Sequence, residues 1–152
     1  MTTKRSLVRR LCGQRGQALI ETALTLPIVL VISVSIFEFG RALQVWQLLT
    51  NAAREGARVA ILPGATDDTV RTRVLAYMNA GGLPGAAPSQ ISVQGNAEID
   101  MGGETVSASQ ITIAYPFSFM VLQPIMQLIA SGSEVGEQIT MTASALMRNE
   151  SP

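Results

Sequence analysis

Apolar positions are distributed so that the first third of the chain stands apart from the rest. Ala18 to Phe37 is a nearly unbroken apolar run, interrupted by Glu21 and Pro27. Its roughly twenty residues, at about 1.5 Å per helical residue, match the roughly 30 Å hydrocarbon thickness of a bilayer. A single membrane span over about residues 18–37 is therefore expected. Beyond it the pattern changes to three- and four-residue spacing. Phe39, Leu43, Trp46, Leu49, Ala53, Gly56 and Ala60 fall on one helical face, with Arg41, Gln44, Asn51, Glu55 and Arg58 on another. Nothing but the tolerated Gly40 and Gly56 interrupts this before Pro63-Gly64. The pattern predicts one helix from about Ala18 to Leu62, some ~65–70 Å long. Its inner half sits in lipid and its outer half packs on an exported domain. The small residues Ala52, Ala53, Gly56, Ala57 and Ala60 admit a close backbone, either the domain's own sheet or a partner helix. Glu38 with Arg41, and Glu55 with Arg58, read as solvated i,i+3 pairs worth a few tenths of a kcal/mol. Trp46, the sole tryptophan, reads as a core or interfacial anchor.

After Pro63-Gly64-Ala65-Thr66, Thr66 or Asp67 caps a second helix reaching about Asn79, with Val70, Val74, Leu75 and Met78 on its apolar side. Gly81-Gly82 ends it, and Gly81 to Ser89 reads as an exposed, flexible loop. The period then shortens to two: Ile91, Val93, Ala97 and Ile99, a Gly102-Gly103 turn, then Val106, Ile111, Ile113 and Tyr115 predict strands. Phe117 to Ala130 is apolar but short and contains Pro124, which leaves a buried helix or a surface touching membrane or partner. Ser131-Gly132-Ser133 is a loop, and Gln138 to Met147 alternates as a closing strand. The expected fold class is α+β: a long N-terminal helix packed on a small, mostly antiparallel sheet with one or two short helices. The chain divides into a leader (1–16), the long helix (17–62) and a head domain (63–152) of modest size.

Charge orients this arrangement. Lys4, Arg5, Arg9, Arg10 and Arg15 precede the span with no acid before Glu21, so the positive-inside rule puts the N-terminus in the cytoplasm and the head outside. Without that leader, six Arg face eleven acids, which argues against a nucleic-acid partner. Glu21 is costly inside an apolar span, by up to a few kcal/mol at the bilayer centre and less near the headgroups. No Lys or Arg lies between Gln17 and Arg41. Once the leader is gone, the nearby positive charge available to Glu21 is a chain terminus, and Gly16 suggests where one is made. The bland alternative is a charge tolerated at the interface of a plain signal anchor. Pro27 removes one backbone hydrogen bond and loosens the helix.

Arg15-Gly16-Gln17-Ala18-Leu19-Ile20-Glu21, Leu26-Pro27 and Ala52-Ala53-Arg54-Glu55-Gly56-Ala57-Arg58 together resemble the TadE-like pilus assembly proteins of tight-adherence (Tad/Flp) type IV pilus systems. The resemblance spans about residues 15–62, and Ala145 to Glu150 also looks like the end of such chains. It implies a pilin-like architecture and cleavage by a prepilin peptidase after Gly16, leaving Gln17 as the new N-terminus. Gly13 fits worse, because the fifth residue after it is Ala18. It further implies a minor pilin or pseudopilin, with Glu21 meeting the α-ammonium of Gln17 on its own or a neighbouring subunit. The implied partners are the peptidase, other pilin subunits (a major Flp-like pilin, a TadF-like partner) and inner-membrane lipid. The implied location is the bacterial inner membrane, with the head periplasmic or extracellular. The alternatives are a TadF-like identity or an uncleaved, signal-anchored periplasmic binding module.

Composition argues against catalysis. The absence of histidine excludes a His-based triad and most zinc sites. Cys12 and Lys4, each the only one of its kind, lie in the leader. Gly81-Gly82-Leu83-Pro84-Gly85 lacks the Lys-Ser/Thr of a nucleotide-binding loop. Asp67-Asp68 suits a helix start, and Glu98 with Asp100 lacks the spacing of a calcium loop. No enzyme activity, cofactor or metal is expected.

Overall fold

The computed structural model describes residues 3–83, 85–100, 102, 105–129 and 138–149. The element order is α1 (Thr3–Ala60), α2 (Asp67–Ala80), β1 (Ile91–Asp100), β2 (Thr105–Phe117), α3 (Leu122–Ile129) and β3 (Ile139–Arg148), with a short 3-10 turn at Pro88–Gln90. This is the expected α+β class. The expected loop at Ser131-Gly132-Ser133 lies outside the described residues.

α1 begins earlier than expected: the leader is not without structure but joins the helix from Thr3. Leu, Arg and Gln are good helix formers, and no proline separates them from the span. At the other end the helix closes before Leu62. The Leu62 N–H donates to Val59 O at 3.1 Å, tightening the last turn, and Gly64 takes the positive φ of 78° that reverses the chain. α2 starts where the sequence places it. Thr66 Oγ1 accepts from the Thr69 N–H at 3.3 Å, and Asp67 and Asp68 occupy the first turn.

The three strands form an antiparallel meander in the order β1-β2-β3. Its register aligns Ile91, Ile113 and Ala143 in one row and Val93, Ile111 and Ala145 in the next. These rows face α1 and α2, and the core closes with Leu49, Ala52, Ala53 and Ala57 of α1 and Val70, Val74 and Met78 of α2. The small residues of α1 thus pack on their own domain, the first of the two options open from sequence. Gly56 shows why small side chains are needed there: a Cβ at that position would lie 2.5 Å from Val74 Cγ2 and 3.3 Å from Ile111 Cγ2. The loop after α2 is not wholly exposed, because Leu83 is buried against the core.

The inward face of α1 differs from the expected one over its middle turns. Glu38, Ala42, Val45 and Leu49 are buried, whereas Phe39, Leu43 and Trp46 are 62%, 59% and 50% exposed. Large residues at 39, 43 and 46 would hold the helix away from the sheet, whereas the Ala-rich stripe allows close contact. Trp46 is therefore not a core residue.

In β1, Gly95 and Asn96 fall between the Gln94–Gln110 and Ala97–Ala108 pairs, a bulge opposite Ser109. Asn149 secures it. Its Nδ2 donates to Gly95 O at 3.1 Å and Ser107 Oγ at 2.9 Å, and its Oδ1 accepts from Ser109 Oγ at 2.7 Å. The buried Ser109 hydroxyl is thereby satisfied.

Candidate functional site

Gly16, Gln17, Glu21 and Pro27 lie on one stretch of α1 and are exposed. Nothing stands within 4 Å of where a Gly16 Cβ would be. Among the described residues, the Glu21 carboxylate makes no ion pair. The hydroxyls around it fold back on the helix. Thr22 donates to Ala18 O at 2.8 Å, Thr25 to Glu21 O at 2.9 Å, Ser33 to Val29 O at 2.8 Å and Ser35 to Val31 O at 2.7 Å. Such back-bonding lets Ser and Thr sit in an apolar span without an unpaired donor. Pro27 lies within an uninterrupted helix, where its missing N–H leaves one carbonyl of the preceding turn without its helical partner. Gly16–Ala60 is long and apolar enough to cross a membrane, and the head covers none of its apolar window.

A second cluster sits one residue beyond the expected span. Glu38 is fully buried and its Oε1 accepts from the N–H groups of Met120 at 2.9 Å and Val121 at 2.8 Å, which lead into α3. Its Oε2 pairs with Arg41 Nη2 at 3.1 Å. Arg41 also donates to Ser118 O and lies over the Phe117 ring, 4.4 Å from its centroid. Phe119 completes the cluster, edge-on to Phe117 at 5.2 Å and to Phe39 at 6.3 Å. Glu38–Arg41 is therefore not the solvated pair expected from i,i+3 spacing. Burial opposes the charged carboxylate, but the Val121 and Met120 N–H groups and Arg41 outweigh it and hold Glu38 below the ordinary carboxylate range. The sequence signal for this site is an acid and a single Arg just after a span, with no other charge nearby.

Glu55 departs from the solvated pair in a different way. It binds Arg58 at 3.2 Å, but also Arg73 of α2 at 2.8 Å, with only 18% of its side chain exposed. The Arg73 hydrogen bonds, with help from Arg58, hold its carboxyl low against the opposing effect of burial. This pair of bonds fastens α2 to α1, a contact between elements that i,i+3 spacing could not reveal.

The remaining concavities offer little for chemistry. A cleft of about 390 Å³ lies beside Arg41, lined by Gln44, Leu48, Leu83, Tyr115 and Met120 among others. Asp67 and Asp68 approach Arg71 at 3.9 and 3.5 Å, as helix-start acids do. Among the described residues, no group of three or more His, Cys, Asp or Glu is placed to hold a metal.

The TadE family, described as TadE-like protein, matches residues 16–58, which begin at Gly16 and run through the span, Glu38 and Glu55 to Arg58. No curated protein and no solved structure matches the chain. Over residues 16–58 the chain is thus similar to TadE-like proteins, a likeness that links it to the tight-adherence pilus system.

Proposed function

We propose that this chain is a minor pilin or pseudopilin that takes part in assembling a tight-adherence pilus and has no catalytic activity of its own. It is inserted with its N-terminus in the cytoplasm and cut by a prepilin peptidase after Gly16. The chain then begins at Gln17, and Glu21 meets that new α-ammonium on the same or a neighbouring subunit. The observation that carries this reading is the position of Glu21. It is an exposed acid five residues past Gly16, in no ion pair among the described residues, on an apolar helix whose apolar window the head leaves bare. An acid so placed in lipid is stabilised by a cation, and a terminal amine one helical turn away is suitably close. Hydrolysis at Gly16 requires opening that turn of α1, which glycine eases by about 1 kcal/mol relative to alanine.

The unbroken helix through Gly16 also favours a second reading, an uncleaved anchor carrying a periplasmic binding module. N-terminal sequencing or intact mass of protein extracted from membranes of cells with an active prepilin peptidase separates the two. The pilin reading expects a chain starting at Gln17. A chain that keeps Lys4 to Arg15 overturns it.

A further inference from the structure

The α3 region is not explained by the core. From Thr105 to Ser133 the chain carries no charge, and within that stretch Met120, Val121 and Leu128 are 68%, 39% and 88% exposed. Val121, just before α3, and Pro124 and Leu128 within it, all exposed, recur at three- and four-residue spacing, whereas Leu122 turns inward. Glu38 fixes where this helix begins. It follows the last residue of the expected span, a rise of only about 1.5 Å along α1, and its carboxylate accepts from the two N–H groups immediately before α3. The exposed face of α3 therefore starts level with the outer end of the span. Phe119, just before α3, meets Phe39 of α1 at 6.3 Å, and Ile36, Phe37 and Phe39 are themselves exposed.

We propose that α3 lies in the outer leaflet of the membrane that α1 crosses, so that Met120, Val121 and Leu128 rest among lipid headgroups and upper acyl chains while Glu38 and Arg41 position the helix. This rests on the membrane-spanning reading of residues 18–37. An apolar segment of this length is too short to span but suits an interfacial site. Lipid is favoured over a second protein because the segment leading into α3 meets α1 at Glu38 and Phe39, directly beyond the expected span, and because it has no charge to set a protein partner's register. The buried Glu38–Arg41 pair then has a purpose at the boundary. It satisfies the start of α3 where water is scarce, and leaves no bare carboxylate facing lipid.

The test uses the full chain with Cys12→Ser, reconstituted in phosphatidylcholine–phosphatidylglycerol vesicles and carrying one environment-sensitive fluorophore at Leu128→Cys, Ile28→Cys or Thr142→Cys. Thr142 is exposed on β3, on the sheet face turned away from α1, and reports bulk water. Nitroxide lipids labelled near the headgroup should quench the Leu128 probe severalfold more than the Thr142 probe, while the Ile28 probe is quenched best by deep nitroxides. Glu38→Ala should reduce the Leu128 quenching and leave Ile28 unchanged. If Leu128 is quenched no more than Thr142 while Ile28 is quenched deeply, the α3 proposal fails and the span stands. Unquenched Leu128 probes whose self-quenching grows with protein density would assign the face to a second copy and equally overturn it. If Ile28 escapes quenching, the span itself is wrong and the α3 proposal fails with it.

Discussion

Glu38 carries two roles on one buried side chain: it accepts from the two N–H groups just before α3 and pairs with the partly exposed Arg41. Removing one member of a buried pair leaves the other uncompensated, at about 3–5 kcal/mol for full burial. Arg41 keeps 27% of its side chain in solvent, so Glu38→Ala is expected near the lower end, about 3 kcal/mol. Glu38→Gln keeps an acceptor for the N–H groups and should cost less; thermal unfolding of the two variants in detergent gives the order. Asn149→Ala should be destabilising by about 1–3 kcal/mol, because the buried Ser109 hydroxyl loses its acceptor. An Asn149→Ala protein as stable as the parent would show that the bulge holds without its clamp. Neither role was legible in the sequence. The partners of Glu38 are 82 and 83 residues away, and those of Asn149 are 40 to 54 away. The cost of placing Glu21 in an apolar span, by contrast, is legible in the sequence, since it depends only on the apolar run around it.

Elements were more readable than the contacts between them. Periodicity found α2, all three strands and the continuity of α1, because each is set by local spacing and local caps. It misassigned the inward face of α1 because hydrophobicity alone ranks Phe39, Leu43 and Trp46 above Ala42 and Val45, whereas the sheet selects for closeness. Two glycines of that helix test the point. Gly56→Ala should be destabilising by about 1–3 kcal/mol, because its Cβ meets Val74 and Ile111. Gly40→Ala meets nothing within 4 Å and should be stabilising by about 0.5–1 kcal/mol. Chemical denaturation of both variants should give shifts of opposite sign; a Gly56→Ala protein as stable as the parent or more so would contradict the close packing of α1 on α2 and β2. The α1–α2 fastening through Glu55 adds a pH dependence. A carboxyl held below its ordinary value contributes stability that is complete above the unfolded-state pKa and lost as pH falls through the lower folded one. Acidification below the usual carboxylate range should therefore destabilise the parent more than Glu55→Gln, as followed by melting temperature against pH.

At the scale of the whole molecule, the chain separates two tasks along one helix. The outer half of α1 is consumed by the head, through the alanine stripe, Glu38 and Glu55. The inner half is left bare, with Glu21 its one charge between Gln17 and Phe37. This separation makes the assembly reading testable without disturbing the fold. Glu21 is exposed and pairs with no head residue among those described, so Glu21→Ala should leave the melting temperature of the head and the membrane insertion of the chain unchanged. If Glu21 meets the Gln17 amine of a neighbour, the same variant should be cut normally and recovered in the membrane, yet be depleted from sheared or crosslinked pilus complexes. Glu21→Asp shortens the reach by one methylene while keeping the charge, and should restore part of that recovery. Full incorporation of Glu21→Ala would mean that the acid is merely tolerated at the interface, and that subunit register is set by the exposed stripe of Phe39, Leu43 and Trp46 instead.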